Sequence, residues 1–447
     1  MNARSAILLL VLGLPAALLL ALGPSGRVDV PSDRVLVRYW EKWTGVEALV
    51  MQRIVDRFNA TVGAEKKIWI EYNAVSNVDQ RMLVATAGGD PPDVAGLFDY
   101  IVAQFADQGA LMPLDDLVRE YGIDETAFKP VWWRIGTYDG RLYALPSTPY
   151  TIALYYNRRL FREADLDPDR PPQTTAELNK FAEKLTRAES DPDGRPRITQ
   201  LGFTTSPGML GWWHWIWAEF FGDPLWNGER FTIDTPEGHA MADWLRQFRD
   251  DLGNEAVLKF EGAAGAIEGA QNPFLSERLA MVFQGPWMSN WIGKYTPNLD
   301  YAVAPFPSST PDRHYSFAST DVFVIPAGAK HPREAMVFLS YMLRQDVLEE
   351  LCREHGKVSP FREPGPDFYK THANPFIRVF DEMAASPDAF GYPQMPMWAE
   401  TSAEMLKMHE NILRGVREPH DAVRDAQQRV DRVVEDYQRM AAKRRGE

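Results

Sequence analysis

The stretch Leu142 to Arg158, LYALPSTPYTIALYYNR, constrains the fold of this chain more than any other. Pro146 and Pro149 fix φ and bias the residues before them away from helix, so the first half is extended. Ile152-Ala153-Leu154-Tyr155-Tyr156 follows, a compact apolar run of strand-favouring types. Asn157 ends that run and is a good N-cap for the charged, helix-patterned Arg158 to Glu163. A rigid, proline-marked strand between two βα-patterned regions has the form of a covalent crossing between two lobes. An ordinary buried strand after a hairpin fits the same residues.

The sequence on either side is of α/β type. Val35 to Trp40 reads as a strand, and Val46, Val50, Ile54 and Phe58 then recur at four-residue spacing with Leu49 beside them, a helix. Lys67 to Val75 alternates as a second strand. Asp79 to Ala87 is helical and stops at Gly88-Gly89. A third strand starts after Pro91-Pro92, and Asp99 to Gly109 forms another helix. Strand and helix in alternation indicate an α/β layer with parallel strands. Tyr138-Asp139-Gly140-Arg141 carries the Asp-Gly hairpin signal. Thr174 and Glu177 form a capping box for a helix through Ala188, and Asp191 to Pro196 is a surface turn. Thr235 to Leu252 is amphipathic, and Gly262 to Gly269 is a small-residue loop. Leu279 to Gln284, Tyr301 to Pro305 and Ser316 to Ile325 are strands. Pro332 to Leu343 and Val347 to His355 are helices, and two more fill the tail, broken near Gly415 to Pro419.

At 447 residues the chain exceeds one ordinary core, so two or three domains are expected. A formal charge of -14 argues against nucleic acid as a partner, because phosphate neutralisation needs a basic face. The single cysteine, Cys352, permits neither an internal disulfide nor a cysteine-based zinc site. Arg4 precedes the apolar block Ala6 to Gly23, in which Ala21 and Gly23 satisfy a small-x-small cleavage pattern. Residues 1–23 are therefore a secretory signal peptide or an uncleaved N-terminal anchor, and either exports the body of the protein.

Phosphate loops, dinucleotide fingerprints, serine nucleophile elbows and HExxH pairs are absent, and the eight histidines show no metal spacing. No cofactor, metal ligand or catalytic residue is indicated. A glycosidase needs no local signature, so a secreted carbohydrate-active enzyme stays as an alternative, as does an anchored sugar sensor. What stands out is the placement of tryptophan at loops and element ends. Trp40 and Trp43 follow the first strand, where α/β sheets bind ligands. Trp212, Trp213, Trp215 and Trp217 lie together, with one or two able to face a cleft while the others pack. Trp287 follows Gly285-Pro286, and Trp398 precedes the tail helices. A flat indole suits the C–H face of a sugar, and placed polar groups take its hydroxyls.

Several segments, taken in order, resemble the extracellular solute-binding proteins of ATP-driven importers, in particular the sugar-binding group that includes maltose-binding protein. They are Pro92-Asp93-Val94, Gly109-Ala110-Leu111-Met112-Pro113-Leu114, the Leu142 to Arg158 stretch, Leu279-Ala280-Met281 with Gly285-Pro286-Trp287, Lys330-His331-Pro332, and Gly356-Lys357-Val358-Ser359-Pro360. The pattern spans nearly all of Val35 to Met440. The resemblance implies a two-lobe α/β fold with a hinge and an interlobe cleft, the first lobe holding 35–145 plus 305–343 and the second 146–304 plus 344–447. It also implies a monomer outside the cytoplasmic membrane that binds a sugar or oligosaccharide and delivers it to a transmembrane permease. Cleft contacts are expected from Trp40, Glu41, Trp43, Asp99, Trp212, Trp213, Trp287 and Trp398, with the rings stacking and Glu41 and Asp99 accepting hydroxyls at the rim. Asp99 could equally cap the helix it begins. Two features depart from the group: Glu277-Arg278 replaces its usual Gly-Lys, and the lipid-bearing cysteine of many relatives is missing.

Overall fold

A computed structural model describes residues 30–206, 213–222, 224–263, 269–309 and 313–445. The expected signal peptide or anchor at 1–23, Trp212, and most of the Gly262 to Gly269 loop lie outside the described residues. Among those described, no helix is long and apolar enough to cross a membrane.

The chain opens with β1 (Val35–Glu41), α1 (Gly45–Ala60), β2 (Ile68–Ala74), α2 (Val78–Ala87), β3 (Val94–Phe98) and α3 (Val102–Asp107). β1 pairs in parallel with both β2 and β3, as alternating strand and helix require. Alternation along β1 sends Val37 and Tyr39 into one apolar layer, beneath α1, and turns Trp40 to the other face, against the layer of Val78 and Met82. Val46 and Leu49, placed on the apolar face of α1 by their spacing, are instead 74% and 64% exposed. The first turn of α1 overhangs an open cavity, and Val46 lines it. At the hairpin, Asp139 and Gly140 both take positive φ, 47° and 72°, the geometry that a two-residue turn needs.

β4 (Ala144–Thr151) and β5 (Ala153–Asn157) occupy the proline-marked stretch and are buried throughout. They belong to different sheets, and only Ile152 stands between them. β5 is the centre of a small antiparallel sheet, flanked by β6 (Met281–Gln284) and β7 (Tyr301–Ala304). Asn157 caps the following helix by accepting from the Leu160 amide at 3.0 Å. α4 (Thr175–Leu185) starts at the Thr174 cap, whose hydroxyl accepts from the Glu177 amide at 3.1 Å. It ends three residues before Ala188 because Arg187–Ser190 forms a hairpin with Pro196–Gln200. α5 (Pro236–Asp251) and α6 (Met288–Tyr295) complete this region.

β8 (Ser316–Val324) returns to the first sheet. It lies antiparallel to β3 on one side and to β4 on the other, with a register shift between Thr320 and Val322. β4 is thus an edge strand, where proline is tolerated; the Val358 amide covers part of its edge by donating to the Pro149 carbonyl at 3.1 Å. α7 (Pro332–Met342), α8 (Gln345–Glu354) and α9 (Ile377–Ala384) also pack on this first body: α7 on β1, α8 on α1 and β4, α9 on β4 and β8. The expected boundary at 344 therefore does not follow the packing. The amphipathic α8 finds its apolar partners on the first sheet, and the chain returns only beyond Ala384. It passes β9 (Ala389–Phe390), which pairs with β8, into α10 (Trp398–Leu413) and α11 (Pro419–Arg445), which pack on each other and on α5.

Candidate functional site

The two bodies face each other across a cavity of about 540 Å³ at the carboxyl ends of β1 and β3, the position where α/β sheets offer free backbone ends and side chains to a ligand. One wall comes from the first sheet and its crossing strands: Lys42, Trp43, Thr44, Val46, Glu47, Phe98, Tyr150, Asp321 and Lys357. The other comes from the second body: Trp213, Gln284, Trp287 and Trp291. Local geometry aims these rings. Trp287 lies directly over Gly285, where an added Cβ would be 2.2 Å from the indole. Tyr150 meets Trp287 edge-on at 4.9 Å, and Trp213 lies 5.9 Å from it, ring centre to ring centre. Trp43 is held edge-on to His355 at 4.6 Å.

Charged groups form the floor. Lys42 Nζ donates to Glu41 Oε1 at 3.2 Å and to the Leu97 carbonyl at 3.2 Å, and pairs with Asp321 Oδ1 at 3.1 Å. Its ammonium also lies 5.0 Å from the Trp43 ring and 4.8 Å from that of Phe98. Asp321 Oδ2 accepts from the Thr148 hydroxyl at 2.6 Å. Burial pushes the Asp321 carboxyl up, but Lys42 and Lys357 outweigh it and hold the group below its ordinary range. At Glu47 the balance goes the other way: Lys357 and Lys42 lower the carboxyl, but burial outweighs them and raises it. Lys357 places its ammonium between two rings, 4.6 Å from Tyr150 and 4.4 Å from Trp287. Gln284 Oε1 is buried with no hydrogen-bond partner among the described residues. The cavity thus joins flat apolar rings with donors and acceptors that still have capacity, the combination that holds a polar ring compound. A family model described as bacterial extracellular solute-binding protein matches residues 44–348, more than half of the chain.

The chain belongs to the bacterial extracellular solute-binding proteins. A binding protein from Brucella abortus (strain 2308) is 24% identical over 369 residues, covering 79% of this chain and 82% of its own. The sn-glycerol-3-phosphate-binding periplasmic protein of Escherichia coli (strain K12) is 28% identical over 203 residues, 44% of this chain and 42% of that one. Among solved structures, CpMnBP1 with mannobiose bound superposes with a TM-score of 0.75 at 24% identity, over 89% of this chain and 99% of that one. The sugar-binding protein MalE from Xanthomonas citri gives 0.73 at 19% identity, over 91% and 99%. These likenesses establish the two-lobe fold.

In this solute-binding protein, Trp43, Trp213 and Trp287 line the cavity. Trp40 does not, because strand alternation turns it to the opposite face of the sheet. Glu41 and Asp99 are not rim groups. Glu41 is 1% exposed and accepts from the Tyr39 hydroxyl at 2.6 Å and the Lys42 amide at 2.8 Å. Its carboxylate fills the space over Gly96, where a Cβ would lie 1.7 Å from Oε2. Asp99 is 2% exposed and ties β3 to β8, accepting from the Ser319 hydroxyl at 3.0 Å and the Thr320 amide at 3.2 Å. Trp398 is buried at the start of α10 and borders a separate aromatic recess of about 340 Å³ with Phe98, Tyr100 and Tyr392. Trp215 and Trp217 pack in the core of the second lobe. Sequence reading did not single out Lys42, Glu47, Tyr150, Gln284, Trp291, Asp321 or Lys357. A usable signal existed for Asp321, an acid inside an apolar strand, and for Tyr150, inside the crossing stretch itself.

Proposed function

We propose that this solute-binding protein is the capture component of an ATP-driven importer and binds a sugar or oligosaccharide between its lobes. The observation that carries this reading is the cavity wall itself, with Trp43 and Tyr150 on one side, Trp213, Trp287 and Trp291 on the other, and polar groups converging between them. A hydroxylated ring stacked on these indoles touches both lobes at once, so it favours the closed arrangement over the open one. Solved neighbours carrying mannobiose and mannotriose support the sugar class. The protein acts as a monomer outside the cytoplasmic membrane and passes its ligand, chemically unchanged, to a transmembrane permease.

A thermal-shift screen of mono- and oligosaccharides tests this, since a ligand that binds only the folded state raises the melting temperature. A saturable shift with one sugar class, accompanied by a change in tryptophan fluorescence and no new product, is expected. Release of a cleaved sugar would replace the reading with that of an enzyme. No shift with any carbohydrate, beside a shift with an unrelated ligand, would end the sugar assignment.

A further inference from the structure

Lys357 differs from the other ammonium at the cavity. Lys42 is neutralised by Glu41 and Asp321, whereas Lys357 makes no ion pair among the described residues and is held by the faces of Tyr150 and Trp287. The residue is 8% exposed. A buried ammonium with unmet donors is costly until an acceptor arrives. Across the cavity stands an acceptor with capacity left, Gln284 Oε1, and on the same wall as Lys357 are the carboxyls of Glu47 and Asp321. Lys357 is close enough for its charge to act on both Glu47 and Asp321.

The lining carries two ammonium groups, Lys42 and Lys357, and two carboxyls, Glu47 and Asp321, with the Glu41 carboxyl beneath them on Lys42. An anionic ligand group drawn to Lys357 would meet these carboxylates at short range and be repelled by them. A hydroxyl suits the same place, because it accepts from an ammonium and donates to a carboxylate or amide oxygen. We propose that Lys357 is a specificity-determining residue that, with Gln284, Glu47 and Asp321, selects an uncharged hydroxyl-rich ligand over a phosphate ester or a uronate. This rests on the sugar-binding function proposed above and adds the charge class of the ligand.

Isothermal titration of the full exported chain, wild type, Lys357→Met and Lys357→Arg, tests it with mannobiose, maltotriose, sucrose, glycerol-3-phosphate and digalacturonate. At least one neutral sugar is expected to bind the wild type at least about tenfold more tightly than either anion. Lys357→Met should weaken that sugar about tenfold to a hundredfold, the worth of a hydrogen bond to a charged group, while Lys357→Arg restores most of it. Both variants should melt, without ligand, close to the wild type. Equal affinity of the Met variant and the wild type for the neutral sugar would overturn the proposal, as would tighter binding of either anion. If the Met variant does not fold, the neutral-against-anion comparison on the wild type decides alone. Failure of all five probes to bind, while a non-carbohydrate does, would instead overturn the sugar function itself.

Discussion

Lys42 sits between two carboxylates with its side chain 10% exposed, and theirs are 1% for Glu41 and 7% for Asp321. Removing one partner of such a buried set leaves uncompensated charge. Lys42→Met should therefore cost about 3–5 kcal/mol in urea unfolding at neutral pH. The loss should shrink as the pH falls, because burial raises the Glu41 carboxyl and its protonation relieves the site. Asp99 predicts a different pH signature. Burial raises its carboxyl to about 7, above the unfolded value near 3.9. The folded state then keeps a proton that the unfolded chain releases, so this contribution is full below about pH 4 and lost as pH rises to about 7. Buried His355 and His409, each lowered to about 3 by desolvation, act in the opposite sense, so a difference measurement is needed. Relative to wild type, Asp99→Asn should gain stability between pH 4.5 and 7.5 by as much as about 4 kcal/mol in paired urea titrations. A constant difference across that range would contradict it.

Individual elements carry two further expectations. The turn from β6 into α6 works because Gly285 leaves room for the Trp287 ring. Gly285→Ala should displace that ring, weaken ligand binding about tenfold or more and alter tryptophan fluorescence even without ligand. At α4, the Thr174 hydroxyl satisfies one otherwise unbonded amide, so Thr174→Ala should cost about 1 kcal/mol in urea unfolding and leave affinity unchanged. Glu277 shows an element solving a local problem with a side chain. It holds φ of 58°, a conformation disfavoured for a residue with a Cβ. Its carboxylate offsets the strain by accepting from Asn157 Nδ2 at 2.9 Å and Arg159 Nε at 2.9 Å, which locks the end of β5.

Across the whole molecule, the tail links the two lobes. α11 packs on α5 and α10, yet its far end reaches Asp107 at the end of α3. Asp107 accepts from the Tyr437 hydroxyl at 2.5 Å, Arg444 at 2.8 Å and the Tyr138 hydroxyl at 3.3 Å. The bonds from Tyr437 and Arg444 cross between the lobes, whereas that from Tyr138 stays within the first. Asp107→Ala should therefore shift the ligand-free protein toward a different opening, read as a changed radius of gyration in small-angle scattering, while saturating ligand restores the wild-type value. An unchanged radius would mean that the crossing strands alone set the angle.

Element type and order were legible in the sequence because they depend on local chemistry. The prolines at 146 and 149, the Asn157 and Thr174 caps and the Asp139-Gly140 turn act within a few residues of themselves. Strand and helix periodicity likewise separated the crossing stretch from its flanks and pointed to Trp43, Trp213 and Trp287 at element ends. Tertiary packing decided the rest. Which face of β1 looked into the cavity depended on where α1 and α2 docked, so Trp40 was turned away and Glu41 was buried over Gly96. α8 chose the first lobe because its apolar face found partners there, and this placed Lys357 opposite Gln284, 73 residues earlier in the chain. A site made of side chains brought together across such distances has no local spacing to read, and only the folded arrangement brings its charges together.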